Sequence, residues 1–387
     1  MALKRVTLFR FFGFKVKADA SWFFLAVLIS WTMSVKVYPH ILLGQSPDTY
    51  QFMGIITVVG ILVSIIAHEV AHALIAEYYH MPIASITLFI FGGVAEMKGE
   101  PSHPKGELFM ALAGPVMSAL MGLFFWSVSN LYEEYIRVGA ISCVLQHLGD
   151  LNMLIAAFNL VPAFPLDGGR ALRAIIWHYK NNLVTATRIA SESGAVFAYG
   201  LIAYACYKVV MHDDLISGMW WGLMGFFVHG SGEYAVRQME SRSLLGTEKV
   251  SRFMHSQATT VSPDLTITEL VDHYINKHYQ KIFPVIDQGR LVGVVTLQSI
   301  LALDRHKWHW LHVASVMEEL TPVTVVSPDF SAADALDLMQ RKGREQLLVA
   351  DNGRFLGILT FRDLASYLAI AIKIDYNKPV EKGRAAY

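Results

Sequence analysis

Residues Ile61 to Ala76, ILVSIIAHEVAHALIA, form an apolar run with one short polar word inside it, His68-Glu69-Val70-Ala71-His72. On a helix, at ~100° per residue, positions i and i+4 share a face, so both imidazoles can reach one metal ion and the word reads HExxH. Glu69 falls on an adjacent face, within reach of a water on that metal. In hydrocarbon surroundings two histidines and a glutamate are costly unless they coordinate something. The run therefore calls for a partner ligand from elsewhere in the chain.

The other long apolar runs say where that helix sits. Hydrophobic residues make up 54% of the 387 and charged residues 17%, below the ~25% of typical soluble domains. Mean hydropathy is +0.40. These values point to a membrane protein. Formal net charge is zero, so nothing in the balance suggests direct contact with nucleic acid. Cys143 and Cys206 lie in apolar runs and form neither a disulfide framework nor a CxxC metal pair. A stretch with Lys4, Arg5, Arg10, Lys15 and Lys17 precedes the first apolar run, which is followed by further spans. It reads as an anchored helix and not as a cleavable signal.

In order, residues 1–19 alternate around Gly13 and suggest a short amphipathic hairpin at the membrane surface. Ala20 to Val35 is the first expected span and Tyr50 to Tyr79, with the HExxH word, the second. Met81 to Met97, MPIASITLFIFGGVAEM, is too β-branched and glycine-broken for a good helix. It reads either as a re-entrant β-hairpin beside the metal or as a surface hairpin. Leu108 to Tyr132, free of Asp, Glu, Lys and Arg, is the third span, and its Gly114-Pro115 pair suggests a kink. The fourth runs from Val138 to Leu166 with Asp150 as its one Asp, Glu, Lys or Arg, read as an intramembrane functional group or, with Gln146, His147 and Asn152 close by, as a residue of a wet cavity or interface. Ser193 to Tyr207 is the fifth, and Leu215 to Gly232 the sixth. Gly218 and Gly222 give the last a small-residue face, for packing within the chain or between copies.

Lysine and arginine asymmetry orients these spans. The N-terminal cluster, Lys98 and Lys105, Arg170 to Arg188, and Arg237 to Lys249 fall on one side; Lys36, Arg137 and Lys208 fall on the other. Both termini are then cytoplasmic and the number of spans is even. The second helix runs inward and His68 lies ~25 Å along it, close to the cytoplasmic face of a ~30 Å core. The fourth span also runs inward and ends NLVPAFPLDGG, bringing Asp167 to a similar depth.

A catalytic zinc usually takes three protein ligands and leaves a position for water. His68 and His72 supply two, and Asp167 is the best-placed carboxylate for the third. Glu69 would then act as general base on an attacking water in peptide hydrolysis. Alone, HExxH recurs in unrelated chains, and Asp167 before Gly168-Gly169 is also a common turn. Two independent signals meeting at one depth are more specific.

At these residues the chain resembles the site-2 protease family of intramembrane zinc metalloproteases. HEVAHALIA matches that family's HExxH helix, NLVPAFPLDGGRAL its second motif, and FGGVAEM and ALAGPVMSAL look like the segments between them. The likeness covers roughly residues 1–235. It implies regulated intramembrane proteolysis of a membrane-anchored protein such as an anti-sigma or transcription factor. It assigns His68, His72 and Asp167 to zinc and Glu69 to the general base, and places Asn159 near the scissile bond as a substrate or oxyanion ligand.

After Arg252 the composition becomes that of a soluble domain and repeats. VSPD at Val261 recurs at Val326, and GVVTLQSI at Gly293 recurs as GILTFRDL at Gly357, offsets of 65 and 64 residues. This resembles a tandem CBS pair over about 247–370, with repeats at about 247–305 and 312–370. Such pairs commonly bind adenine nucleotides, which by likeness assigns Thr296, Thr360 and Asp363; Ser299 replaces the first repeat's aspartate and weakens that site. A pair that dimerises or contacts substrate is the other reading. Residues 375–387 read as a disordered tail.

The expected architecture is thus a polytopic α-helical membrane protein of about six spans with a re-entrant β-hairpin (1–240), plus a cytoplasmic α/β tandem CBS domain. It would sit in the cell membrane with both termini and the CBS pair cytoplasmic, carry one catalytic Zn2+ and an adenine nucleotide, and be open to homodimerisation. A CBS-gated transporter would show inverted repeats, and HEVAH has no counterpart in the second half. A relative that binds membrane proteins without cutting them is the remaining alternative.

Overall fold

The computed structural model describes residues 6–11, 14–81, 83–89, 92–97, 101–135, 139–278 and 280–376. They divide into two compact units, Met1–Val236 and Arg237–Tyr387.

The first unit begins with strands β1 (Val6–Phe11) and β2 (Phe14–Ala18), paired antiparallel as expected; Gly13 itself lies outside the described residues. Helix α1 (Ala20–Thr32) starts where the Asp19 side chain accepts from Ser21 N at 3.0 Å, then widens for one turn and continues as α2 (Tyr38–Ile41). Helix α3 (Pro47–Tyr78) carries the HExxH word. Ser46 caps it and Pro47 opens its first turn, where a missing N–H costs nothing. Strands β3 (Ile83–Phe89) and β4 (Gly92–Met97) follow, then α4 (Pro104–Tyr135), α5 (Ala140–Asn159), α6 (Asp167–Lys180), α7 (Leu183–His212) and α8 (Leu215–Leu245).

Among the described residues, five helices are long and apolar enough to cross a membrane: Ala20–Ile41, Pro47–Tyr78, Pro104–Tyr135, Ala140–Asn159 and Leu183–His212. Phe24, Val27, Val59, Leu123 and Val196 are exposed on them, and helices apolar on their outer faces as well as their inner ones are suited to lipid. Helix α8 forms where the sixth span is expected, but glycines and His229 dilute its apolar content and it is not among the five. Gly218 serves packing inside the unit. A Cβ on Gly218 would strike the Val209 side chain on α7 and lie 3.0 Å from the Ala205 carbonyl.

Two expectations change at the fourth and fifth spans. Helix α5 ends at Asn159, because the Pro162 and Pro165 nitrogens cannot donate to continue it, and Asp167 opens a separate helix, α6. Helix α7 starts ten residues earlier than Ser193, with Asn182 Oδ1 accepting from Thr185 N at 2.9 Å. The two hairpins also merge. Strand β2 pairs parallel with β3, Lys15 opposite Ser85 through Ala18 opposite Leu88, giving one sheet in the order β1-β2-β3-β4.

The second unit contains two similar α/β modules. Short helices α9 (Ile267–Leu270) and α10 (Asn276–His278), hairpin β5 (Ile282–Asp287) and β6 (Arg290–Thr296), and α11 (Leu297–Leu301) build the first. Strand β7 (Val325–Val326), α12 (Ala332–Lys342), hairpin β8 (Gln346–Asp351) and β9 (Arg354–Thr360), and α13 (Phe361–Tyr376) build the second. Both hairpins turn through two residues of positive φ, Gln288-Gly289 and Asn352-Gly353, the geometry that matches strand twist. Each module has its own core, around Phe283, Val285 and Val295 in the first and Leu347, Val349 and Leu359 in the second. The leading segments are exchanged: His255 bridges to Ile358 on β9, and Glu318 bridges to Val294 on β6. A shared cluster of Leu291, Val294, Leu348 and Ile358 closes the interface. Of the expected tail 375–387, the first two residues end α13 and the others lie outside the described residues.

Candidate metal centre

The inner face of α3 buries Ser64, His68, Glu69, His72 and Ala76, positions that recur at three- and four-residue spacing. Helix α4 packs along that face, and its own buried stripe, Met110, Ala111, Gly114 and Ser118, is small where the imidazoles project. A Cβ on Gly114 would overlap His72 Nε2 and lie 2.5 Å from His68 Nε2. Glycine at this position clears the volume that the two rings occupy. Gly168 and Gly169 likewise let the first turn of α6 sit against the 160–164 backbone, which brings Asp167 to the histidines.

Three atoms from two helices meet there. His68 Nε2 and His72 Nε2 are 3.1 Å apart, and Asp167 Oδ2 lies 3.1 Å from the first and 3.2 Å from the second. All three residues are buried, as is Glu69. The outer ring nitrogens are held from α4: His72 Nδ1 donates to the Met110 carbonyl at 2.6 Å, and His68 Nδ1 is 2.8 Å from Ser118 Oγ. A carbonyl only accepts, so the Met110 contact places the proton of a neutral His72 on Nδ1 and leaves Nε2 as a bare lone pair facing a carboxylate oxygen. With His72 neutral, two acceptors at that distance need a positive charge between them, and a metal ion held by all three atoms supplies it.

The separations suit zinc. An ion ~2.0–2.1 Å from each donor in a tetrahedron sets donors ~3.3–3.4 Å apart, within a few tenths of an ångström of those found. Among the described residues, this is the cluster of three or more His, Cys, Asp or Glu side chains that could hold a metal ion. The Glu69 carboxylate stays outside the three-atom cluster and lies against β4, where a Cβ on Gly93 would come within 2.5 Å of its Cγ.

The family model for peptidase family M50 matches residues 56–136 and 128–201, the segments that carry HExxH, the α4 stripe and Asp167. Over these residues the chain is similar to peptidase family M50. The CBS domain model matches residues 250–306 and 313–370. The chain is 27% identical to Rip3 of Mycobacterium tuberculosis over 94% of this chain and 93% of that one. It is 29% identical to zinc metalloprotease MJ0392 of Methanocaldococcus jannaschii over 85% and 90%. Among solved structures it is similar to a site-2 protease from Methanocaldococcus jannaschii, at 26% identity and a TM-score of 0.42, over 60% of this chain and 94% of that one.

The remaining residues expected to form sites are placed differently. Asn159 is the last residue of α5, and its side-chain amide donates to the Ile155 carbonyl of its own helix at 3.0 Å. Thr360 caps α13: its hydroxyl accepts from Asp363 N at 3.2 Å, and Asp363 Oδ2 accepts in turn from the Thr360 hydroxyl and amide. Asp363 Oδ1 faces His255 Nε2 at 3.0 Å. Partial burial raises the Asp363 carboxyl, but hydrogen bonds from Thr360 and His255 outweigh it and hold the group below the ordinary aspartate range. In the first module Thr296 and Ser299 form the same box, and Thr296 Oγ1 lies 3.4 Å from Glu318 Oε1. The contributions of Met110, Gly114, Ser118 and Gly93 do not register in the sequence motifs. Gly114 and Ser118 lie in ALAGPVMSAL and Gly93 in FGGVAEM, segments that resemble the family's, but no role for these residues was legible there beyond a kink at Gly114-Pro115.

Proposed function

We propose that this protein is a zinc-dependent endopeptidase that hydrolyses a peptide bond in or near the spanning segment of a membrane-anchored protein. The observation that carries the reading is the convergence of His68 Nε2, His72 Nε2 and Asp167 Oδ2 within 3.2 Å of one another beside buried Glu69, in a unit of long apolar helices. His68, His72 and Asp167 would hold the ion; bound there, zinc supplies a Lewis acid for the scissile carbonyl and the water. Met110 and Ser118 fix the ring orientations, so the donor atoms need no rearrangement. Glu69 takes the proton from the attacking water and delivers it to the leaving amine. Asn159, at the end of α5, serves as the hydrogen-bonding residue for the substrate strand or oxyanion once its amide leaves the Ile155 carbonyl.

The finer arrangement follows the same reading. Helix α8 is the sixth span, both termini and the CBS pair are cytoplasmic by the lysine and arginine distribution, and the β3–β4 hairpin is re-entrant. The approach of Gly93 to Glu69 supports the last point, because non-helical backbone at membrane depth needs protein around it. Of the charged residues used for orientation, Lys4, Arg5, Lys98 and Arg137 lie outside the described residues. The CBS pair binds an adenine nucleotide at Thr360 and Asp363, with Thr296 contributing a weaker counterpart, and this binding regulates cleavage.

The test is purified protein with a membrane-tethered model substrate. Chelation abolishes cleavage and zinc restores it. Cleavage that survives complete removal of metal contradicts the proposal, and stoichiometric zinc with no cleavage of any tethered substrate favours the non-cleaving alternative. For the nucleotide, saturable ATP binding that weakens in Asp363→Ala is expected; no binding at millimolar ATP ends that part.

A further inference from the structure

Helix α4 has a charged residue at the start of its buried stripe. Glu107 is fully buried, and Arg173 on α6 is nearly so. Arg173 Nε donates to Glu107 Oε1 at 2.7 Å, and its terminal NH2 reaches the same oxygen. Glu107 Oε2 is buried without a hydrogen-bond partner. A buried ion pair with one oxygen unmatched is a poor source of stability, since an apolar pair of similar volume is often as stable or more so. The best-attested use of such pairs is to fix register, and the position of this one fits that use.

Glu107, Met110, Gly114 and Ser118 recur at three- and four-residue spacing along one face of α4. The last three orient or make room for His68 and His72. On the facing helix, Asp167, Arg170 and Arg173 recur every three residues, with Arg170 NH2 4.0 Å from Met110 Sδ and Arg173 on Glu107. The Arg173 guanidinium also lies over the Phe164 ring, 5.1 Å from its centroid, on the loop that leads into Asp167. One stripe of α4 therefore holds both histidines at one end and α6 at the other. A slip of α6 by a single turn, ~5.4 Å, would break the ion pair and withdraw Asp167 from the nitrogens.

We propose that Glu107 and Arg173 are positioning residues of the metal site: their buried ion pair sets the register of α6 on α4 and thereby the reach of the Asp167 carboxylate to His68 and His72. The proposal rests on the reading of that triad as a zinc site.

The experiment uses the full chain purified in detergent and measures zinc affinity by chelator competition, the visible spectrum of the Co(II)-substituted protein, and Tm. Glu107→Asp shortens the arm by one methylene, and Arg173→Lys keeps the charge without the guanidinium fork. Both are expected to weaken zinc about 10–100-fold and to change the Co(II) bands. The stability control is Ser129→Val, which removes a buried bond of 3.0 Å to the Ser142 carbonyl about three turns beyond Ser118. At an equal loss of Tm it should leave both metal readouts at wild type. If a single variant fails to fold, the neutral pair Glu107→Gln with Arg173→Met keeps the volume, and weak zinc binding in a folded double variant is expected. Wild-type zinc affinity and Co(II) bands in Glu107→Asp, or in the double variant, would show that the pair serves stability alone and overturn the proposal. A wild-type protein that binds no stoichiometric zinc would instead remove the metal reading itself.

Discussion

The metal centre and the Thr360–Asp363 box are both polar clusters at the start of a helix, yet their atoms are spent in opposite ways. In the box, the Thr360 hydroxyl and Asp363 Oδ2 answer the free amides at the start of their own helix while Oδ1 faces His255, so the box is complete as a cap. At the metal centre, His68 Nε2 and His72 Nε2 on α3 and Asp167 Oδ2 on α6 converge on one another while the outer ring nitrogens are held by Met110 and Ser118. A self-satisfied cluster explains itself without a ligand. A cluster of three metal-ligating atoms converging from two helices does not, and that difference separates the stronger site assignment from the weaker one.

The contrast is open to test by substitution, and the largest effect is expected at its centre. Asp167→Ala removes the one ligand that comes from α6, and zinc measured by atomic absorption should fall from one per chain to near zero; unchanged occupancy would move the third ligand elsewhere. Gly114→Ala places a methyl on the two imidazoles, an overpacking that costs ~1–3 kcal/mol, and should lower both zinc occupancy and Tm. Zinc binding unaffected by that methyl would mean that the α4 stripe does not confine the rings. Ser118→Ala frees His68 Nδ1, and a zinc affinity about tenfold lower is expected by chelator competition. The smallest effect belongs to the box. Thr360→Ala should cost the CBS unit ~1 kcal/mol as a lost helix cap, read by denaturant unfolding, with zinc unchanged.

What the sequence made legible follows the same division. HExxH is a local pattern on one helix, and its consequence, two imidazoles on one face, follows from helical period alone. Asp167 was also legible as a carboxylate arriving near the histidines, although Pro162 and Pro165 deliver it on a new helix and not at the end of the fourth span. The 64–65-residue repeat carried both CBS modules, but not the exchange by which His255 joins β9 and Glu318 joins β6. Non-local pairing of that kind, like the parallel joining of Lys15 to Ser85, leaves no periodic trace. Main-chain and glycine contributions are silent for a further reason. The Met110 carbonyl acts through backbone, and the space left at Gly114 is filled by rings from another helix, a neighbour that residue type does not name.

The most direct measurement pairs zinc content with cleavage in Glu69→Gln. That substitution keeps the size of the side chain and removes the base without touching the three ligand atoms. A zinc content of one per chain, with cleavage of a tethered substrate reduced by ~10²–10⁴-fold, is the expected result. Wild-type cleavage in Glu69→Gln would contradict the role given to Glu69 and, with it, the hydrolytic mechanism.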